Sequence, residues 1–398
     1  MPPDPVTPRM VSPPAYAALD LGTNNCRLLI AAPSQNGFRV IDSFSRIVRL
    51  GEGLHSSGRL SDAAMDRAIG ALQACAGRIG RRRLRGLRAI ATEACRRADN
   101  GRSFIERVRH ETGLQIDVIS TREEAELALE SCAALLQADL PDTSGHPGRA
   151  EQDGAAPGSA RVPTAEPDRA RSRALIFDIG GGSTEIAWIR VAGDGRPGTE
   201  TGRDGRPELV GTQSLPLGVI TLAERFGSTA YSHVGYEAMV EHVIAQLRDF
   251  EAVHCIAREV RRGVVRLLGT SGTVTTLAGV SLGLQRYRRA LVDGVVLSRR
   301  AAHDAIRLLR DLGPAGLAQH ACVGPERSAT VLPGCAIFDA IHRLWPTDSV
   351  VVADRGLRDG MLLRMMRDRT PTTHRIAAAD SGSMHVSTPR AGAIRAMS

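Results

Sequence analysis

The chain has 398 residues, a formal net charge of +8 and 51 basic side chains, all of which are arginine. This length favours two domains, and hydrophobic residues at 42% suffice to fill a core in each, which excludes a short peptide-like mode of action. A basic chain attracts polyanions, but aromatic residues at 3% leave few side chains for base stacking, so a polyanion other than nucleic acid is favoured unless the arginines reflect genome drift alone.

The N-terminal stretch, residues 1–14, is rich in proline and lacks the apolar run of a secretion signal. No later stretch is long and uncharged enough to span a bilayer. The 7 cysteines are scattered without a C-x-x-C pair. We therefore predict a disordered tail, reduced thiols, no zinc site, no membrane partner and a cytoplasmic location.

The folded part opens with a strand, a glycine turn and a second strand at residues 16–30. The first apolar run ends near Asp20, and the second begins near Arg27. The turn between them consists of Gly22, Thr23, Asn24 and Asn25. Asn and Gly also make ordinary hairpins, so this turn alone is a weak indication of phosphate binding. A strand at 39–47 and a helix at 61–79 are predicted to follow.

Residues 116–128 are typical of a strand that runs into an acidic helix start. Ser120 and Glu123 have the spacing of a capping box, which explains Glu123. Glu124 needs another explanation, although Thr121 has the same spacing to it and the helix dipole favours any acid there. Our hypothesis is that Glu124 is a general base at a cleft between two lobes, where it takes the proton of an attacking water.

Residues 139–173 are rich in Gly, Pro, Asp, Thr and Arg and have no apolar period, which is typical of a flexible linker or insertion. They divide the folded part into a lobe at 15–138 and a lobe at 174–368, the last helix of which can pack back on the first lobe. A hairpin tip is predicted at 193–207 and a disordered tail at 369–398.

The second lobe opens on the same plan as the first. Residues 174–188 have Asp178 where the first copy has Asp20, and Glu185 where it has Arg27. The turn between them consists of Gly180, Gly181, Gly182, Ser183 and Thr184. Its backbone N–H groups can line a concavity free of bulky side chains, as phosphate binding requires, whereas a plain hairpin turn needs fewer glycines. Two pseudo-symmetric α/β lobes that face a cleft are the simplest architecture.

Asp20 and Asp178 each lie at the end of an apolar strand, where a buried carboxylate is costly unless a positive charge neutralises it. Magnesium prefers carboxylate and water oxygens and bridges to substrate phosphates. The alternative is that each aspartate only caps its own turn. We predict a Mg²⁺ site at this pair.

A third glycine turn follows a strand at 208–216 and a helix at 236–257. It lies between an apolar strand at 264–268 and a helical run at 274–282. Its residues are Gly269, Thr270, Ser271, Gly272 and Thr273. A helix N-terminus after such a turn can contact phosphate, but a capped strand-to-helix turn explains the pattern almost equally well.

Seven separated motifs, in order between residues 17 and 361, resemble those of the Ppx/GppA family, which are exopolyphosphatases and guanosine pentaphosphate phosphohydrolases of the actin-like superfamily. The motifs are DLGTNNCR at 20–27, ATEACRRADN at 91–100, ISTREEA at 119–125, DIGGGSTE at 178–185, LPLG at 215–218, GTSGT at 269–273 and DRGLRDG at 354–360.

The resemblance implies two actin-like (ribonuclease H-like) lobes that face a central cleft. It implies that Glu124 is the catalytic base and that Asp178 and Glu185 shape the magnesium and water site, to which the residue pattern above adds Asp20 as a predicted metal ligand. It also implies that Arg27 and Arg96 bind substrate phosphates.

The chain departs from the family at two motifs. Ser120-Thr121 stands where Ser-Gly is common, and residues 23–25 stand where Ser-Asn-Ser-like turns are common. Neither change removes a charged catalytic group, so we expect activity to be kept and substrate preference to be affected. The extra C-terminal helical domains of longer relatives have no counterpart here, which implies a short form.

The implied function is release of terminal phosphate from inorganic polyphosphate, with conversion of guanosine pentaphosphate (pppGpp) to guanosine tetraphosphate (ppGpp) as a second activity. The expected partners are these polyanions, with no specific nucleic acid, and a homodimer is compatible with the sequence. Two alternatives stay open. One is an ATP-dependent kinase of the same superfamily, which would need an acceptor pocket, and the other is a non-catalytic sensor of alarmones or polyphosphate.

Overall fold

The computed structural model describes residues 14–35, 37–137, 172–191 and 207–368. Nearly all of the predicted tails, linker and hairpin tip lie outside these ranges. The described residues form two β-sheets that are covered by helices.

The first sheet has the strand order β3-β2-β1-β4-β5. The strands are β1 (Ala15–Leu21), β2 (Asn25–Ser34), β3 (Gly37–Ile47), β4 (Leu84–Ala91) and β5 (Asp117–Val118). β1, β2 and β3 run antiparallel in turn, whereas β1, β4 and β5 are parallel. Because the parallel strands end at one edge of the sheet, the segments that follow them lie side by side.

The second sheet has the strand order β10-β11-β9-β6-β7-β8. The strands are β6 (Arg173–Ile179), β7 (Thr184–Arg190), β8 (Glu208–Leu215), β9 (Val265–Thr270), β10 (Val296–Ser298) and β11 (Ser349–Ala353). Here β6, β7, β8, β9 and β11 take the places of β1 to β5, and β10 is added antiparallel at the edge. The repeat in the sequence is therefore a repeat of sheet topology.

The helices of the described ranges connect the strands and cover the sheets. They are α1 (Leu54–Ser57), α2 (Asp62–Gly80), α3 (Glu93–Arg97), α4 (Gly101–Thr112), α5 (Thr121–Gln137), α6 (Val219–Phe226), α7 (His233–His254), α8 (Ile256–Arg261), α9 (Gly272–Ser281), α10 (Arg289–Val292), α11 (Arg299–Asp311), α12 (Gly313–Gln319), α13 (Val331–Leu344) and α14 (Leu357–Asp368). None of them combines the length and the apolar composition that crossing a bilayer requires.

Capping residues set the ends of the two long helices expected from the sequence. Ser61 Oγ accepts a hydrogen bond from the Ala64 N–H at 3.3 Å, so α2 begins directly after Ser61. Ser232 Oγ accepts from the Gly235 N–H at 3.0 Å, so α7 begins earlier than the predicted residue 236. It ends at His254 because Cys255 adopts a left-handed conformation with φ +51°.

Alternate residues of β1 face two different layers. Ala17 and Leu19 pack in one apolar cluster with Leu72 of α2. Tyr16 and Ala18 pack in another cluster, whose other members include side chains of α14. This alternation follows from the two-residue period of a strand that is buried on both faces.

Helices α5 and α14 each pack on the sheet of the other half of the chain. Cys132 of α5 packs with Ile176 of the second sheet, whereas Met361 of α14 packs with Ala18 of the first. The two helices also cross closely, because a Cβ at Gly360 would lie 2.2 Å from the carbonyl oxygen of Leu127. A shared helical layer therefore joins the sheets, and the lobe boundaries given above stay predictions.

Candidate active site

The two glycine turns have the same internal hydrogen bond. The Gly22 N–H donates to the Asn25 carbonyl, and the Gly180 N–H donates to the Ser183 carbonyl, at 2.9 Å in both cases. The turns join corresponding strands, β1 to β2 and β6 to β7. The repeat therefore extends from the topology to the turn conformation.

The two turns also contact each other. A Cβ at Gly182 would lie 2.8 Å from Thr23 Cγ2, and one at Gly181 would lie 3.0 Å from Asn24 Cβ. Glycine is needed at both positions because the opposite turn occupies the space of a side chain. The contact brings together the ends of β1 and β6, and with them the two aspartates that precede the turns.

The LPLG motif at 215–218 packs against the second turn. The N–H groups of Val219 and Ile220 donate to the carbonyls of Gly180 and Gly181 at 3.0 and 2.8 Å. These are the first N–H groups of α6, which have no partner within the helix. A Cβ at Gly218 would lie 2.5 Å from the Gly180 carbonyl oxygen, so the motif requires glycine at its end.

Replacing Gly218 with alanine is expected to lower the free energy of unfolding by about 1–3 kcal/mol, as overpacking does. Gly218 has φ −142°, which alanine adopts freely, so the contact with the turn is the cause. Urea denaturation measures the change. The control is Gly77→Ala on the exposed side of α2, where a Cβ meets nothing within 4 Å and we expect unchanged or higher stability. Equal stability of G218A and wild type would show that the turn moves aside at little cost.

Three buried carboxyl groups lie at the turns. Asp178 and Glu185 are cross-strand neighbours in β6 and β7, as Asp20 and Arg27 are in β1 and β2. Burial raises the pKa of Asp20, raises the pKa of Asp178 to about 6 and raises the pKa of Glu185 to about 7. The charge of Arg27 opposes the shift at both aspartates, whereas the charge of Asp178 adds to the shift at Glu185.

The hydrogen bonding of these acids is uneven. Glu185 Oε1 accepts from Ser183 Oγ at 2.5 Å and from Ser214 Oγ at 3.1 Å. Asp20 Oδ1 is buried and accepts no hydrogen bond from any described residue. A buried carboxylate oxygen without a donor is costly, and the charges of Arg27 and Arg358 offset only part of that cost, so a cation fits beside it.

Glu124 lies in the first turn of α5 and is 7% exposed. Its Oε2 accepts a hydrogen bond from Arg96 Nη1 at 3.1 Å. Burial raises the pKa of Glu124 well above its usual range, the charges of Glu185 and Asp178 raise it further, and Arg96 opposes the shift. Glu185 and Asp178 come from the other half of the chain, and their charges act on Glu124. Acids from both halves of the chain therefore share one site.

The helix start at Glu124 is half of the expected capping box. Ser120 Oγ accepts from the Glu123 N–H at 3.2 Å, as predicted. The Glu123 carboxylate does not return to the backbone of Ser120 but pairs with Arg88 of β4. The sequence spacing gave no sign of this partner, because Arg88 lies in a different element.

Residues 29–141 and 166–369 match the sequence model of the Ppx/GppA phosphatase family. Together these stretches make up more than half of the chain. The chain belongs to the Ppx/GppA phosphatase family. The first glycine turn lies before residue 29, outside the matched residues. Its correspondence to the second turn rests on the sheet topology described above.

A curated relative in this family is the guanosine-5′-triphosphate,3′-diphosphate pyrophosphatase of Photobacterium profundum. It is 27% identical over 369 residues, which cover 90% of this chain, and the chain spans 62% of the length of that relative. Two solved structures share the fold. The Aquifex aeolicus member of the family has a TM-score of 0.65 at 23% identity, over 90% of this chain and 99% of the other. An exopolyphosphatase from Cytophaga hutchinsonii has a TM-score of 0.69 at 21% identity, also over 90% and 99%.

The comparisons confirm the predicted family, and the structure has the predicted α/β fold with two corresponding sheets. Within that family fold, the structure gathers many of the residues that the sequence singled out. Burial and the charges of Glu185 and Asp178 raise the pKa of Glu124, Arg96 donates a hydrogen bond to Glu124, and the two glycine turns meet. Their roles in binding and catalysis stay predictions.

Three residues expected to contact phosphate have other contacts in the structure. Gly269 lies within β9, where a Cβ would lie 2.6 Å from an aromatic ring of β6. Thr270 Oγ1 donates to the Arg355 carbonyl at 2.5 Å, and Thr184 Oγ1 donates to the Leu217 carbonyl at 2.9 Å. β9 extends to Thr270, two residues beyond its predicted end, so the first half of the GTSGT motif is strand. Phosphate contacts at these three residues stay predictions.

Ser271 and Gly272 remain at the start of α9. Ser271 has φ +93°, which residues other than glycine rarely adopt. Its buried Oγ has no hydrogen-bond partner among the described residues. A strained residue with an unpaired hydroxyl at a helix N-terminus fits the predicted phosphate contact.

Two arginines that the sequence analysis did not assign to the site lie near Arg27. Burial lowers the pKa of both Arg327 and Arg358, the charge of Arg27 lowers it further, and Arg358 in turn opposes the raised pKa of Asp20. A Cβ at Gly272 would lie 3.5 Å from Arg327 Nη1. In the described ranges none of the three guanidinium groups forms a salt bridge. The DRGLRDG motif contains Arg358, but nothing in the sequence distinguished Arg327 among 51 basic side chains.

Proposed function

We propose that this chain hydrolyses the terminal phosphoanhydride bond of inorganic polyphosphate and converts pppGpp to ppGpp as a second activity. The observation that carries the proposal is the setting of Glu124. This buried carboxylate accepts a hydrogen bond from Arg96, and burial together with the charges of Glu185 and Asp178, from the opposite half of the chain, raises its pKa. Membership of a phosphatase family and the name of the Photobacterium profundum relative support the reaction class.

In this proposal the terminal phosphate lies against the two facing turns. Backbone N–H groups at Thr23 and Asn24 and at Gly181 to Ser183 hold its oxygens, with Asn25 and Gly22 shaping the first turn. Glu124 removes a proton from a water whose oxygen attacks the terminal phosphorus. The bond from that phosphorus to the bridging oxygen breaks, and the shortened chain leaves with the electron pair. A general base works best when its pKa lies near the working pH, and burial moves Glu124 in that direction.

The arginines of the site have two different roles toward the negative charges of the substrate and of Glu124. Arg27, with Arg327 and Arg358, provides positive charge that forms no salt bridge with a described carboxylate, which suits the phosphates further along the substrate chain. Arg96 is already bonded to Glu124, so it orients the base and meets phosphate only with the part of its side chain that is exposed, 21%. Ser271 and Gly272 add a contact at the start of α9.

Asp20, Asp178 and Glu185 are the residues that would hold Mg²⁺. Burial raises the pKa of all three, and Asp20 Oδ1 has no hydrogen-bond donor among the described residues, which fits carboxylates that bind a cation. The described ranges hold no cluster of three His, Cys, Asp or Glu side chains placed to ligate a metal, so Mg²⁺ would bind through one or two of these carboxylates together with waters and the substrate. When bound, Mg²⁺ neutralises charge that develops on the phosphate oxygens.

A phosphate-release assay on the purified full chain tests the proposal. We expect release from long polyphosphate, tripolyphosphate and pppGpp in the presence of Mg²⁺ and little release with a chelator. ATP consumption that depends on an added acceptor would identify a kinase instead. Tight binding of polyphosphate or pppGpp without phosphate release would identify a sensor.

A further inference from the structure

Arg96 lies between two buried carboxylates, only one of which belongs to the proposed machinery. Its Nη1 donates to Glu124 Oε2 at 3.1 Å and to the Ile119 carbonyl at 2.8 Å. Its Nη2 donates to Glu93 Oε2 at 3.0 Å. The side chains of Glu93 and Glu124 are 8% and 9% exposed, so both contacts are shielded from water.

Glu93 pairs with arginines three and four residues further along its own helix, and its burial distinguishes it from an exposed pair of this kind. It opens α3, a helix of 5 residues that follows β4, at the edge where the Thr92 N–H donates to the Leu21 carbonyl at 3.3 Å. An acid that served only the dipole of this short helix could stay in solvent, whereas burying a carboxylate costs free energy unless it is paired. Its partners are Arg96 and, at 3.6 Å, Arg97. The geometry thus ties Glu93 to the guanidinium that contacts Glu124.

We propose that Glu93 is a positioning residue for the hydrolysis: it anchors Arg96 so that the guanidinium stays against Glu124 when a polyanion binds. This inference rests on the proposed function. Phosphate oxygens compete for the exposed part of Arg96, and an arginine held through Nη1 alone, by Glu124 and the Ile119 carbonyl, could turn to the substrate. With Nη2 fixed by Glu93 and Nη1 shared with the Ile119 carbonyl, the guanidinium keeps its orientation.

Two substitutions separate anchoring from charge. Glu93→Ala removes the acceptor, whereas Glu93→Gln keeps an acceptor oxygen at the same reach and removes only the charge. We expect E93A to lower kcat by about 10-fold or more with KM within about threefold, since an interaction made in the transition state is lost. E93Q should stay within about threefold of the wild-type kcat. Equal losses in the two variants would assign the effect to charge and overturn the anchor.

Coupling to Arg96 is the second arm of the test. If Glu93 acts only through Arg96, the double variant E93A/R96A should be no slower than R96A alone, because residues that act as a unit are not additive. Arg97→Ala is the matched control, since it removes the other partner of Glu93 and should leave kcat near the wild-type value. Additive losses would overturn the inference. If E93A does not fold, E93Q carries the test. A kcat within about threefold of the wild type supports the inference, and a kcat as low as that of R96A overturns it.

A crystal structure of the E93A protein tests the anchor without any turnover. We expect the Arg96 guanidinium to leave Glu124 Oε2, from which it is 3.1 Å in the wild type. An unchanged contact overturns the inference even if the wild type is an active phosphatase. Conversely, a wild-type protein that releases no phosphate overturns the proposed function, whatever this structure shows about Arg96.

Discussion

A protein with Glu124 replaced by glutamine is expected to keep its fold and its affinity for polyphosphate while turnover falls by about 10²- to 10⁴-fold, the contribution of a general base. Glutamine has the shape of glutamate and can still accept the hydrogen bond from Arg96 Nη1, so the surroundings of the side chain are kept. It cannot take a proton from water. Phosphate release from tripolyphosphate measures turnover, and calorimetry with the same ligand measures affinity.

The neighbouring acid provides the matched control for this experiment. Glu123 precedes Glu124 on α5, but its carboxylate pairs with Arg88 and lies outside the cluster of site acids. Glu123→Gln should therefore turn over at a rate close to that of the wild type. If E124Q also releases phosphate at the wild-type rate, Glu124 is not the base. A parallel loss in E123Q would show that the charge of the helix start, and not a particular carboxylate, is responsible.

The sequence predicted two copies of the same strand, glycine turn and strand because that information is local. An apolar run that ends in Asp-x-Gly fixes a strand and a turn, and two copies in one chain imply two equivalent sheets. The cross-strand neighbours Asp178 and Glu185 follow from the length of the turn alone. These features needed no knowledge of contacts distant in the chain.

The sequence could not predict which way the turn hydroxyls point or which distant groups they meet. Thr184 and Ser183 are adjacent in the same motif, yet the first binds a backbone carbonyl and the second binds Glu185. The same limit applies to Glu93, whose partner Arg96 was predicted only as a phosphate ligand. Packing against other elements decides these orientations, and packing is not visible in local spacing. Arg327 was missed for the same reason, because only the folded chain brings it beside Gly272.

Asp178→Asn is expected to abolish measurable turnover and, in the absence of metal, to make the protein more stable at pH 8. The folded pKa of Asp178 is about 6, above the ordinary value of 3.8, because the group is buried. Because the folded protein binds the Asp178 proton more tightly than the unfolded chain does, protonation of Asp178 stabilises the fold fully below about pH 4. This stabilisation is lost as the pH rises through 6. A shift of about 2 units corresponds to about 3 kcal/mol, which asparagine should recover at pH 8.

Urea denaturation in the presence of a chelator, at pH 5 and pH 8, separates this effect from a general change in stability. The unfolding free energy of the wild type should fall between these pH values by more than that of Asp178→Asn. Glu185 adds to the difference, because the charge of Asp178 helps to raise its pKa to about 7. Exposed Asp249, which contacts no other charged group in the described ranges, serves as the control, and Asp249→Asn should follow the wild-type pH dependence.

Adding Mg²⁺ should stabilise the wild type at pH 8 and have a smaller effect on Asp178→Asn, since a ligand stabilises only a state that binds it. Equal stabilisation of both proteins by Mg²⁺ would exclude Asp178 as a cation ligand, and the burial of its charge would then need another purpose.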